Sequence, residues 1–94
     1  MKAPAIYILC NRPYGTLYIG VTSNLPSRIT QHKTKAVSSF SNKYNLDKLV
    51  YFELFDVMYD AISREKQLKN WRRQWKVELI EQLNPNWRDL SEEL

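Results

Sequence analysis

A chain of 94 residues with 14 Lys and Arg against 10 Asp and Glu is long enough for one domain and carries a formal charge of +4. A single cysteine, Cys10, excludes an internal disulfide and a Cys-rich zinc site. No apolar run approaches the roughly 18 residues of a membrane span, and Met1-Lys2-Ala3-Pro4 leads straight into a strand pattern rather than a signal peptide.

Ala5 to Cys10 is apolar around a tyrosine and reads as a first strand. Asn11-Arg12-Pro13-Tyr14-Gly15 reads as a turn, and Thr16 to Val21 as a second strand returning in a hairpin. Thr22-Ser23-Asn24 offers helix caps, and Pro26 suits a first turn, so a helix is expected from Leu25 to about Lys33. Thr34 to Asn42 has no period and reads as a loop, with a short turn near Ser41 to Tyr44. Lys48 to Phe55 is a third strand. Asp60 can cap a second helix over roughly Ala61 to Arg73, with Ala61, Leu68, Trp71 and Trp75 facing inward. A third helix is expected over Trp75 to Leu83, burying Leu79, Ile80 and Leu83, and it can be continuous with the second. Asn84-Pro85-Asn86-Trp87 ends it, and a short acidic tail follows in which Trp87 and Leu90 can dock. The order β-β-α-β-α-α predicts an α+β fold. It is a three-stranded antiparallel sheet with helices packed beside it, in one domain over residues 1–94.

Several polar residues carry two readings each. Arg28 and His32 are four apart and share a helix face. They are either a solvated face or a guanidinium for phosphate beside a proton-transfer group. The two-residue period turns Tyr7 and Tyr18 away from Ile6, Ile8 and Ile19, and if the register of the two strands matches, the tyrosines share one sheet face. They either pack in the sheet or serve as a base with help from a cation or a basic neighbour. Glu65 borders the apolar stripe of the second helix. It either pairs with Lys69 or holds Mg²⁺. The basic run Arg64, Lys66, Lys69, Arg72, Arg73 and Lys76, with Trp71 and Trp75 interleaved, is either a solvated face or a track for a phosphate backbone.

Taken together, these residues resemble the GIY-YIG nuclease superfamily in its small single-domain bacterial form. The first motif reads Ala5-Ile6-Tyr7, and the second, Tyr18-Ile19-Gly20, is intact. The resemblance continues through Thr22 to Leu25, Arg28-Ile29, His32-Lys33, Lys43-Tyr44, Leu49 to Glu53, Ala61 to Lys69 and Asn84 to Trp87. It implies a cytoplasmic endonuclease that hydrolyses DNA phosphodiesters with one divalent metal, Mg²⁺ or Mn²⁺. Carried over, Glu65 is the metal ligand and Arg28 lies beside the scissile phosphate. Tyr7 and Tyr18 are the motif tyrosines, one of them a general base; His32 takes a histidine-or-tyrosine position, and Asn84 is a polar residue near the site. Ala5 replaces the motif glycine, and Val21 stands where some members have lysine. No further DNA-binding domain is expected, and the implied partner is DNA, whether branched, nicked or single-stranded. The rival readings are a non-catalytic nucleic-acid-binding module and a partner-docking protein.

Overall fold

The computed structural model describes residues 3–34 and 44–94. The loop expected over Thr34 to Asn42, its turn from Ser41, and Lys43 therefore fall almost wholly outside the described residues. Strand β1 is Ala5–Cys10, β2 Leu17–Thr22 and β3 Lys48–Leu54. Helix α1 is Leu25–Thr34, α2 Met58–Lys69 and α3 Arg73–Leu83, with a closing 3₁₀ turn at Leu90–Glu93. The predicted order and the antiparallel sheet are present, and the sheet order is β2-β1-β3.

Strand β1 explains the architecture. All six of its residues are fully buried, because it is central and apolar on both faces. A strand of that composition needs cover on both sides. Helix α1 supplies one cover, setting Leu25 and Ile29 against Ala5, Tyr7 and Leu9. Helices α2 and α3 supply the other, setting Ala61, Leu68 and Ile80 against Ile6, Ile8, Cys10 and Ile19. The sheet is thus covered by helices on both faces.

The remaining differences are local. Strand β2 starts one residue later than expected, because the Thr16 N–H donates to Asn11 Oδ1 at 3.0 Å and closes the hairpin loop. Helix α2 begins at Met58, with Val57 at the cap position, so Asp60 lies inside the first turn and is not the cap. Helices α2 and α3 are separate. The N–H groups of Asn70 and Trp71 bond three residues back, and Arg72 is extended (φ −61°, ψ 149°). That break resets the helical phase. Trp75, expected inward, is 46 % exposed, and Leu83, also expected inward, is 75 % exposed. Ile80 is fully buried as expected, and Trp87 docks into the α2–α3 side of the core.

Candidate functional site

The site begins with the pairing of β1 and β2. Tyr7 stands opposite Gly20, and Leu9 opposite Tyr18. The two tyrosines are therefore diagonal neighbours on the α1 face, with ring centroids 6.2 Å apart. Gly20 is required by this geometry. A Cβ built on it would lie 2.4 Å from both Cζ and Oη of Tyr7. The Tyr7 ring occupies the space that any side chain at position 20 would need.

Gly20→Ala is accordingly expected to destabilise the fold by about 1–3 kcal/mol, the usual cost of overpacking. Tyr7 is fully buried and has nowhere to retreat. A urea melt at neutral pH checks this; unchanged stability would show that the ring can move aside.

Helix α1 brings the second pair. The turn after β2 is held by Thr22 Oγ1, which accepts from the Asn24 N–H, and Asn24 Oδ1 caps the helix by accepting from Ser27. From that start, Arg28 and His32 point at the sheet. His32 is only 7 % exposed, which removes the solvated-face reading for it. Its Nε2 lies 3.1 Å from Tyr7 Oη, and its ring is 5.7 Å from each tyrosine ring. The half-buried Arg28 sends its guanidinium to the Tyr7 hydroxyl.

These neighbours set the proton affinities. Burial pushes Tyr7 up to about 12, and Arg28 partly opposes that rise. Burial lowers the pKa of His32, and the Arg28 charge lowers it further. Near neutral pH the pair is a protonated phenol beside a neutral imidazole, whose Nε2 can accept the phenol proton.

Glu65 arrives from the other side of the sheet. It lies on α2, is only 14 % exposed at its side chain, and pairs with Lys69 at 2.9 Å. Lys69 in turn lines a hollow at the β2 edge with Leu17, Tyr18, Ile19 and Lys76. Tyr18 thus belongs to both groups: it touches the Tyr7–His32 cluster on the sheet face and borders the Lys69 hollow at the edge. Tyr7, Tyr18, Arg28 and His32 are brought together, and Glu65 reaches the same strand edge through Lys69.

Asn84 stands apart from them. It is 2 % exposed at the end of α3. Its Nδ2 donates to the carbonyls of Val50 (3.1 Å) and Arg88 (2.8 Å), and its Oδ1 accepts from the Arg88 N–H (2.9 Å). These bonds fasten the end of α3 to β3 on the face opposite the tyrosines.

The basic run divides three ways. Arg64 turns inward, gripping Glu53 through Nε and NH2 at 3.0 Å each and covering Trp71. Arg72 covers Trp75 at 5.4 Å. Lys69 and Lys76 alone of the run reach the Tyr18 hollow. The i,i+4 spacing of Glu65 and Lys69 signalled their pairing, but nothing local signalled that Lys69 meets β2.

Residues 3–78 match the GIY-YIG catalytic domain. A UPF0213 protein of Syntrophus aciditrophicus is 35 % identical over 87 residues, covering 90 % of this chain and 97 % of its own. One from Staphylococcus saprophyticus is 33 % identical over 66 residues, covering 70 % and 80 %. The solution NMR structure of a UPF0213 protein from Bacillus halodurans superposes with a TM-score of 0.58 at 21 % identity, over 95 % of this chain and 94 % of that one, and shares the fold. With the Tyr-Ile-Gly strand, its required glycine and the buried Tyr7–His32 pair all lying within the matched residues, the chain belongs to the GIY-YIG catalytic domain family, among relatives named UPF0213.

Proposed function

We propose that this protein is a divalent-metal-dependent endonuclease that hydrolyses phosphodiester bonds in DNA. The observation that carries the reading is the Tyr7–His32 pair with Arg28 beside it, next to an edge where Tyr18 and the Glu65–Lys69 pair meet. A guanidinium, a proton-transfer pair and one carboxylate are a sufficient set for phosphodiester hydrolysis with a metal.

The donor set suits Mg²⁺ or Mn²⁺ held in part by substrate. Among the described residues no group of three or more His, Cys, Asp or Glu could cage an ion. Mg²⁺ commonly takes one or two carboxylates and completes its shell with waters and phosphate oxygens. Glu65 is the carboxylate that would hold it. Such a cation supplies positive charge against the developing phosphorane and acidifies water.

The chain's own residues do the rest. Arg28 offers paired donors to the non-bridging oxygens, where charge grows in the transition state. Tyr7 takes a proton from the attacking water as it passes its own to His32 Nε2. The water oxygen bonds to phosphorus as the bond to one ester oxygen breaks; that oxygen leaves with the bonding pair and takes a proton from solvent water, and an imidazolium remains on His32. Tyr18 lines the approach. Asn84 secures the α3 terminus through its bonds to Val50 and Arg88.

A second reading, a nucleic-acid-binding module without catalysis, draws on two observations. A phenol pushed up to about 12 stays protonated near neutral pH and is no base unaided, and a half-exposed Trp75 under Arg72 is a stacking surface. Supercoiled, branched and single-stranded DNA incubated with the purified protein separates the two. Cleavage is expected with Mg²⁺ or Mn²⁺ and is expected to stop in chelator. Binding with no cleavage under any of these conditions would favour the second reading.

A further inference from the structure

The Tyr18 hollow does not end at Lys76. A larger hollow of about 550 Å³ adjoins it and shares Leu17 and Lys76. Its lining continues through Gly15 and Thr16 to Asn11 and Arg12, with Arg73 on the α3 side. Together the two form one channel along the β2 edge, from Tyr18 to the tip of the β1–β2 hairpin.

Its chemistry is one-sided. Lys69, Lys76, Arg73 and Arg12 line it, and no carboxylate lines either hollow. The charge of Lys69 is shared with Glu65 at the Tyr18 end. Toward the hairpin, no carboxylate in the lining balances the cations. A lining of this kind excludes an apolar occupant and favours a polyanion.

The channel wall is also built in advance. Arg73 NH2 donates to the carbonyls of Tyr14 (2.7 Å) and Gly15 (2.5 Å), tying the hairpin tip to α3. The Tyr14 hydroxyl donates to Glu81, and its ring packs 4.9 Å from Trp87. Within the loop, the Gly15 N–H donates to the Arg12 carbonyl at 2.9 Å. A Cβ at Gly15 would lie 2.1 Å from Asn11 Oδ1, so the turn accepts no larger residue without moving. A loop pinned this way holds Arg12 beside the α3 cations Arg73 and Lys76 at low ordering cost.

We infer that this β2-edge channel holds the sugar–phosphate backbone of the DNA strand being cut, from the scissile phosphate at Tyr18 out to the hairpin tip. The assignment rests on the nuclease reading for its direction, since that reading puts the scissile phosphate at the Tyr18 end. Tyr18 lies three residues on from Gly15, a reach of at most roughly 10 Å along the strand direction. The backbone path between neighbouring phosphates is about twice the axial rise of about 3.4 Å, so a stretch of that length seats about two phosphates. Arg12 and Lys76 contact backbone, so they add affinity without sequence preference.

The test measures binding of fluorescent single- and double-stranded DNA in chelator, across a salt series, so that no cleavage intervenes. The variant Arg12→Gln/Lys76→Gln removes two channel cations. The control Lys66→Gln/Arg88→Gln removes two exposed cations elsewhere. Melting curves confirm that both fold. The channel variant is expected to bind about tenfold or more weakly at low salt, with a log–log salt slope lower by about 1.4–1.8 for two lost phosphate contacts. The control is expected to follow the wild type. An unchanged slope in the channel variant, or an equal fall in the control, overturns the assignment. If the wild type cuts DNA with Mg²⁺ and the channel variant binds and cuts as well as it does, the channel fails and the nuclease reading stands. If binding depends on the channel but no metal supports cleavage, the channel stands and the nuclease reading fails.

Discussion

Glu65→Gln is expected to lower Mg²⁺-dependent DNA cleavage by at least about 10²–10³-fold, the scale on which one preorganised electrostatic contributor acts. The substitution keeps the side-chain volume and removes the only charge assigned to the metal. Its effect on the fold should be small. The partner Lys69 is 54 % exposed, and an exposed i,i+4 pair is worth about 0.3–0.5 kcal/mol. The melting temperature should therefore barely move while activity collapses. Binding in chelator should hold or tighten slightly, because one negative charge leaves the edge of a basic channel. A variant that cuts as fast as wild type would remove Glu65 from the mechanism and attribute any cleavage to another source.

The second large effect is expected at Tyr7. Tyr7→Phe should reduce cleavage by about 10²–10⁴, the range for a lost general acid–base group. It removes the hydroxyl facing His32 Nε2 and Arg28 and leaves the ring that fills the space over Gly20. Stability should fall by only about 0.5–1.5 kcal/mol, one hydrogen bond's net worth. A rate within a few-fold of wild type would exclude Tyr7 as the proton carrier.

The pH dependence of the pair follows from its two shifts. His32 has a lower pKa folded than unfolded, so in acid the unfolded chain binds a proton that the folded chain resists. Its contribution to stability is complete above about 6.5, the unfolded value, and is lost as pH falls through the folded value. Cleavage should fall in the same direction, since a protonated His32 cannot accept from Tyr7. Tyr7 behaves oppositely. Its pKa is raised from 10.0 to about 12, so its contribution is complete below 10.0 and declines as pH rises through about 12. Melting temperatures across pH should show both slopes, with His32→Gln flattening the acid one and Tyr7→Phe the alkaline one. Acid slopes that coincide for wild type and His32→Gln would place the titrating group elsewhere.

By itself the sequence determined the elements and their faces, because those follow from short-range geometry. Alternation with period two set Tyr7 against Ile6 and Ile8, and Tyr18 against Ile19, on opposite faces, and the pairing register then put both tyrosines on one side. A spacing of four put Arg28 and His32 on one side of α1, and Pro and Gly marked the hairpin turn. Tertiary structure decided what those faces meet, since burial depends on elements far apart in the chain. The antiparallel register put Gly20 under Tyr7, and packing of α1 on the sheet buried His32 against the phenol. The break at residues 70–72 turned Trp75 outward, because a helix interrupted by one extended residue loses its phase. Arg64 and Lys76 are alike in the sequence. Only the neighbouring Glu53 turned one inward, and only the returning hairpin set the other beside Tyr18. Asn84 is a polar residue after a helix in either view, and the carbonyls of Val50 and Arg88 gave it a fastening role. Charge and spacing are local properties; which charges share one channel is set by long-range packing.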